Sequence, residues 1–518
     1  MQTSARPLPA LTGSQLFLGT VAVALATFMV VLDSSIANVA VPTLSGNLGV
    51  SVDEGTWVIT MFAASNAVSI PLTGWLTQRF GQVRLFLAAI LMFVLASWLC
   101  GIAPSLPALL AARVLQGAVA GPLIPLSQTL LLGSWPSEKS SIALALWSMT
   151  AQVGPIAGPA LGGWITDSYS WNWIFFINIP VGLFSAGMVW SIYRHRESPT
   201  RKLPIDVMGL TLLVIWAASL QIMLDKGKDL DWFNSSFIIV LAIIALIGFA
   251  FFLVWELTDA HPIVDLRLFA QRNFLGGTVA ISVAYGVFFC NLVLLPQWMQ
   301  EYLDYRAVDA GLVIAPLGLF AVLLTPVLGR LLPKSDARII ATLAFIGFAI
   351  VFFMRANYVT DIDTWHLVVP TLLQGIPSAM FFVPLTAIIL AGQPLSRIPA
   401  AAGLSNFARS FCGAIATSIS ATEWNDRTIL HHARLTEQAS INNPVFLQHI
   451  AHTRALLHIS ESSARALFDH ILTAQAAMMG LDDIFQASAI IFLVIIPLIW
   501  ITRSTKGGVG GGMASAAH

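Results

Sequence analysis

Charge is what this chain has least of. Only 10 % of its 518 residues are Asp, Glu, Lys or Arg, and 26 basic side chains are balanced by 26 acidic ones. The balance itself carries no message about nucleic acid, since the charges are confined to loops and helix ends and their placement is what informs; no nucleic-acid partner is expected. Cysteine is scarce too. Cys100, Cys290 and Cys412 all lie in apolar runs without metal-ligand spacing, so they read as packed free thiols, and neither a disulfide framework nor a metal site follows. Long polar stretches are also missing, which leaves little room for a soluble enzyme domain. What remains is 57 % apolar with a mean hydropathy of +0.80, the composition of an all-α polytopic membrane protein.

Runs of roughly 18–25 apolar residues, each enough to cross about 30 Å of hydrocarbon, fall near 16–38, 56–76, 85–103, 107–131, 142–163, 173–193, 206–224, 236–257, 274–297, 308–329, 338–355, 366–390, 401–421 and 484–502. That predicts fourteen spans. The first is too long for a cleaved signal core and ends without a small-residue cleavage site. Placing both termini in the cytoplasm puts sixteen basic residues inside, and the short outer connections hold only Lys226, Lys228, Arg306 and Arg355. The asymmetry fixes the orientation.

One stretch organises the rest. PALLAARVLQGAVAGPLIPLSQTLL, 107–131, carries Arg113 at a depth where lipid does not tolerate a charge, so a protein partner is required. TLLQGIPSAMFFVPLTAII, from Thr371, repeats its Leu-Gln-Gly and its later Pro-Leu, with Thr371 standing where Arg113 stood. The connections GWLTQRFGQVR (from Gly74) and GRLLPKSDAR (from Gly329) are related by nearly the same offset. The chain therefore reads as two six-span halves, 1–195 and 261–502, with two inserted spans in 196–260, a long outer loop at 422–482 and a disordered Gly-rich tail at 503–518. Parallel halves with a solute site between them are the build of a secondary transporter.

Asp33, in VVLDSSIANVAVP, is the candidate partner of Arg113. At about 1.5 Å per residue it sits roughly 25 Å from the start of its span, a depth comparable to that of Arg113 in the antiparallel span. An acid alone in a low-dielectric site is neutral, whereas one beside an arginine is held ionised. Separating the pair invites a proton, so Asp33 is the candidate proton carrier and Arg113 the group that tunes it; a static ion pair or a capped helix end is the structural alternative. In SMTAQVGPIAGPALGGW, Gly154, Gly158 and Gly162 share one helix face, with Gly163 beside them, and Pro155 and Pro159 predict a bend in a close-packed helix. Asn38, Gln116, Gln128, Gln152, Asn291, Gln297, Asn406 and Arg409 are polar groups within spans that line a cavity or hydrogen-bond between helices. Gly74, Arg79, Gly81 and Arg84 form a tight basic turn. The loop at 422–482 holds six of the ten histidines and predicts a short pair of helices, its histidines either solvated, metal-binding or pH-sensing.

GWLTQRFGQVR, RVLQG and GPIAGPALGG, in that order, resemble the three signature motifs of the drug-exporting major facilitators, and LDSSIANVAVP is similar to a motif of their fourteen-span drug:proton antiporter branch. TWVIT, WIFFIN and SLQIMLD extend the resemblance nearly end to end, while Gln78 departs from it where the loop motif usually has an acid. The resemblance implies a major facilitator fold of six, two and six spans. It also implies proton-driven export of hydrophobic drugs with no cofactor beyond the proton gradient. Asp33 and Arg113 match the family's coupling pair. A Gram-negative inner membrane, a periplasmic adaptor of the membrane-fusion kind and an outer-membrane channel follow from it, with 422–482 as the adaptor contact. A proton-coupled carrier of one specific metabolite has the same fold and is the alternative.

Overall fold

The computed structural model describes residues 10–136, 139–201, 204–260, 262–438 and 444–504; the tail beyond is outside the described residues. Apolar runs without polar interruption form helices because only a helix satisfies every backbone group within its own segment. In chain order these are α1 (Gly13–Leu48), α2 (Val52–Phe80), α3 (Gln82–Gly101), α4 (Leu106–Ser134), α5 (Ser140–Ser168), α6 (Trp173–Tyr193), α7 (Val207–Lys226) and α8 (Ser236–Thr258). They are followed by α9 (Arg272–Tyr302), α10 (Val308–Lys334), α11 (Ala337–Arg355), α12 (Thr364–Leu390), α13 (Ile398–Gln438), α14 (Pro444–Leu457) and α15 (Glu461–Ile501). Their starts are marked chemically. Ser51 and Glu54 form a reciprocal capping box on α2, and Asp206, Asp336, Asp363 and Ser460 accept backbone N–H bonds at the heads of α7, α11, α12 and α15.

Twelve of these helices are long and apolar enough to cross a bilayer. The expected spans 142–163 and 401–421 lie in α5 and α13, which are helical but outside that twelve, so fourteen crossings stay an expectation. The 422–482 stretch is helical as expected, but not as a separate pair: α13 runs on to Gln438, α15 begins at Glu461, and among the described residues the short α14 stands between them.

Helices α1 to α6 pack mainly on one another, as do α9 to α13 with α15. The two sets meet where α5 lies on α10 and α12, and where α13 lies on α2 and α4. The inserted α7 and α8 pack together, α7 resting on both α2 and α13. Lys226, at the end of α7, donates to the Asp53 carbonyl (3.0 Å) and to the Thr56 hydroxyl; Ser418 of α13 donates to the Leu224 carbonyl (2.6 Å), and Trp232 Nε1 to Thr422 Oγ1 (2.9 Å). One end of the inserted pair is thus bonded to both sets. The sequence reading had placed Lys226 in an outer connection, but it is buried, because its chain folds back over Trp57. In the most apolar window of α8 only 22 % of residues are buried, against 78 % for α12, so α8 is peripheral and α12 central.

The glycine face of α5 presses on α1. A Cβ on Gly154 would meet the Val31 side chain at 2.6 Å, one on Gly158 Ser35 Cβ at 2.4 Å, and one on Gly162 Ile36 Cγ1 at 2.8 Å. No side chain fits there, and the three contacts flank Asp33. Gly163 is buried beside them, whereas the side chains of Gln152, Pro155 and Pro159 lie outside the described residues. Gly158→Ala is expected to destabilise the protein by ~1–3 kcal/mol through overpacking. Gly133→Ala, where a Cβ meets nothing within 4 Å, serves as the control and should be neutral or slightly stabilising in a helix. Melting curves of the two purified variants in one detergent test this; equal losses would mean that the α1–α5 contact can relax.

Candidate functional site

Five of the first six helices send a group to one buried point. Asp33 (α1) and Arg113 (α4) are both fully buried, and Arg113 Nη1 donates to Asp33 Oδ2 at 2.7 Å. The other carboxylate oxygen accepts from Gln116 Nε2 at 2.9 Å and from Asn178 Nδ2 of α6 at 2.6 Å. Gln116 and Asn178 also donate to Ser97 Oγ of α3, at 2.7 and 3.2 Å. Arg113 reaches Gln116 Oε1 (2.6 Å) and, through Nε, the Val58 carbonyl of α2 (3.1 Å). Phe62 lies under the guanidinium at 4.2 Å and Phe175 at 5.6 Å, closing the point to water.

The spacing in α4 makes this possible, because Arg113 and Gln116 are three residues apart and share a face. Burying an ion costs several kcal/mol even after relaxation, and geometry that saturates the remaining donors and acceptors offsets that cost. Here the carboxylate takes three charge-assisted or amide bonds. Asp33 does not reach water at a helix end; it is a core residue. Ser97 and Asn178 were not among the sequence candidates, and their only signal was being polar within apolar stretches.

The expected cavity residues separate into three groups. Gln116 belongs to the charge network just described. Asn38 and Gln297 are exposed, and Asn291 is buried within the second set, donating to Ser488 Oγ at 2.9 Å. Gln128, Asn406 and Arg409 do come together, lining a small pocket where α4, α5, α9, α12 and α13 meet. Arg409 is 9 % exposed. Its Nη2 donates to Asn406 Oδ1 at 2.5 Å, its Nε has no partner, and Trp147, Tyr285 and Phe382 surround it at 5.8, 5.1 and 5.6 Å. Cation–π contacts of about 0.5–2 kcal/mol each do not replace a counter-ion for a buried cation.

A buried cation stands beside Thr371 as well. Arg355, expected in an outer connection, is 2 % exposed, and its Nη2 donates to Thr371 Oγ1 at 2.9 Å. The cation comes from the end of α11 instead of from α12 itself. Hydropathy counting misses it because the apolar run stops at that residue.

At the basic turn, Gly81 takes φ +89°, and its missing Cβ makes room for Glu197. That carboxylate caps α3 by accepting the N–H groups of Val83 (3.0 Å) and Arg84 (2.9 Å). An acid thus reaches the turn from the chain after α6, in a motif whose own position carries Gln78. Gly74 packs on Ala400 at the head of α13, and Arg79 stacks over Trp75 at 5.4 Å. In the α13–α15 extension, His431 pairs with Asp483 at 2.9 Å and His432 with Asp469 at 3.0 Å. Among the described residues no group of three His, Cys, Asp or Glu is placed to hold a metal.

The model of the Major Facilitator Superfamily matches residues 23–417. The chain is 49 % identical over 503 residues to the multidrug export protein EmrB of Escherichia coli K12, covering 97 % of this chain and 98 % of that protein. It is 46 % identical to the fatty acid resistance protein FarB of Neisseria gonorrhoeae, covering 97 % and 99 %. Among solved structures, the MFS proton:xylose symporter XylE superposes with a TM-score of 0.60 at 12 % identity, over 97 % of this chain and 99 % of that one, a likeness of fold.

Removing one member of a buried ion pair costs roughly 3–5 kcal/mol, because the other is left uncompensated. Arg113→Met and Asp33→Asn should therefore each destabilise strongly, while the double variant recovers much of the loss. A double-mutant cycle read by thermal unfolding checks this; additive losses would mean that the two groups are not coupled in the folded protein.

Proposed function

The chain belongs to the Major Facilitator Superfamily, and we propose that it exports hydrophobic toxic compounds across a bacterial inner membrane in exchange for protons. The observation that carries the reading is the Asp33–Arg113 pair, buried and saturated by Gln116, Asn178 and Ser97 and backed by the glycine face of α5. The names of the relatives, multidrug export and fatty acid resistance, both denote apolar, harmful solutes and support an outward direction. A second reading, a proton-coupled carrier of one metabolite, keeps the same pair and differs in solute and direction.

In the proposed cycle, fourteen spans alternate access with both termini in the cytoplasm. Drug enters a cytoplasm-facing cavity while Asp33 is a carboxylate held by Arg113. Rocking of the two helix sets shifts α4 against α1 and weakens that bond. A proton from the periplasm then occupies Asp33, drug leaves, and the return stroke delivers the proton inside. No cofactor takes part; the proton gradient supplies the energy. The tightly packed α5 limits leakage during the stroke by leaving no gap beside Asp33. The α13–α15 extension would meet a periplasmic adaptor that leads to an outer-membrane channel. Exposed Ile429, Leu456, Leu457 and Ile471 on it support that role, since apolar side chains in an aqueous compartment mark contact surfaces.

In inverted membrane vesicles with an acid interior, adding hydrophobic drug should release protons through the wild type and not through Asp33→Asn, although that variant inserts and still binds drug. Normal release by Asp33→Asn would move coupling to another acid. Wild type that releases no protons with any drug, yet accumulates a metabolite, would favour the second reading.

A further inference from the structure

We infer that the α13–α15 extension is a pH-operated clasp, closed by two histidine–carboxylate pairs when the compartment around it is acidic and loosened when that compartment turns alkaline. The inference rests on the reading that this extension faces the periplasm, and it adds a regulation to the contact surface proposed there.

The two helices are joined at two levels. At the lower one, Trp424 Nε1 of α13 donates to the Ala477 carbonyl of α15 at 2.8 Å, Gly480 packs on Thr428, and Arg427 lies 3.6 Å from Asp483. Tyr302 of α9 meets Trp424 there as well. This level is a hinge built on an indole, a backbone contact and an arginine, which keeps its charge at any working pH. At the upper level, His431 Nε2 stands 2.9 Å from Asp483 Oδ2, and His432 Nε2 stands 3.0 Å from Asp469 Oδ1. Little else holds α13 beyond the hinge. Among the described residues from Asn425 to Glu437 the one buried side chain is that of His431, while Ile429 and Leu430 are exposed. Helix α15 has support of its own: Thr360 donates to Gln475 at 3.0 Å, and Phe468 packs on Phe446 of α14 at 5.0 Å. The outer end of α13 is therefore the part able to move.

A joint whose buried member is a histidine has a charge to lose. Histidine is the side chain whose ordinary charge change falls between about pH 5 and about pH 8. With imidazolium each pair is a charge-assisted bond, roughly twice as strong as a neutral one. With neutral imidazole it is an ordinary bond or none, according to the tautomer. The ties are complete at the acid end of that range and weaken as pH rises. Placement adds leverage, because the histidines are adjacent on α13 whereas Asp469 and Asp483 stand about four turns apart on α15.

Other charged groups adjoin the pairs. On α13, Arg427 is bonded to Glu423 at 2.7 Å, and Arg434 follows one turn after His431. On α15, Arg465 is paired with Glu461 at 2.7 Å, and His470 adjoins Asp469. Helix α14 brings His449, His452 and Arg454. Asp482, beside Asp483, accepts the Tyr358 N–H and leaves Oδ1 without a partner, so it is a further group able to take a proton. Ile429 and Ile471 stand on the two clasped helices, and a partner bridging them meets a spacing set by pH. In a proton-driven exporter the clasp closes when the outer side is acidic, which is when the driving force is present.

The test is a distance titration on full-length protein in lipid nanodiscs, with Cys412→Ser and nitroxide labels on Ala433→Cys and Ala466→Cys, both exposed positions. From about pH 5 to about pH 8, electron–electron resonance should show one short distance giving way to a longer and broader one. His431→Gln combined with His432→Gln should abolish the pH dependence, and His431→Lys with His432→Lys should keep the short distance throughout. A pH-independent distance in the labelled parent overturns the inference without any histidine variant, so misfolding cannot mask the result. A dependence that survives the double glutamine variant, or that Asp482→Asn alone removes, overturns the assignment to the histidines. The export reading fails separately, because the titration involves no transport. An impermeant maleimide on intact cells reports whether Ala433→Cys faces outward. Labelling only after the cells are opened overturns the outer placement and the sensing of that compartment, whereas a flat titration at an outward-facing label removes the clasp alone.

Discussion

A charge in an apolar interior must be answered by other groups of the protein, and the first helix set is arranged around that demand. Asp33 and Arg113 answer each other, but a pair alone leaves carboxylate lone pairs and guanidinium hydrogens unused. Gln116, Asn178 and the Val58 carbonyl take them up, and Ser97 accepts from both amides. The positions of α1, α2, α3, α4 and α6 are thereby tied to one point, and α5 holds α1 against it by having no side chains in the way. A network that specifies this arrangement of five helices also resists its rearrangement.

The second set answers the demand differently. Its core is a stack of Phe348, Phe352, Phe485 and Phe492, with interplanar angles of 13–18° and centroids 4.6–6.3 Å apart. Aromatic packing of this kind is apolar and dense and has no protonation state to change. Its cations Arg355 and Arg409 rest on neutral oxygens. The two sets thus differ in chemistry: one pairs its buried arginine with an acid, and in the other the buried arginines rest on neutral oxygens.

Much of this was legible in the sequence because hydrocarbon imposes simple rules. Long apolar runs became helices, an arginine deep in one of them demanded an acid, and Asp33 stood at the matching depth. Glycines four apart, Gly154, Gly158 and Gly162, announced a close helix contact, although not that α1 would be the helix they touch. What was not legible depended on direction. Ser97 and Asn178 are ordinary polar residues until α3 and α6 turn them inward. Arg355 and Lys226 end apolar runs, where counting assigns them to water, but a long flexible side chain can fold back into the protein. Of the polar residues within spans, Gln128, Asn406 and Arg409 converge while Asn38 and Gln297 stay exposed, because which face of a helix is packed is not written in the sequence alone.

The bonds of the inserted pair carry a consequence for the order of assembly. Lys226 meets Asp53 and Thr56, partners made before it, so the α7 end can settle on α2 as soon as it leaves the ribosome. Its other partners, Ser418 and Thr422, are synthesised almost two hundred residues later. Domains made first fold first during synthesis, and here the first set would present α7 as a ready docking edge, with Leu224 and Trp232 waiting for α13. The last long helices to emerge would then arrive at a template and would not have to search for one.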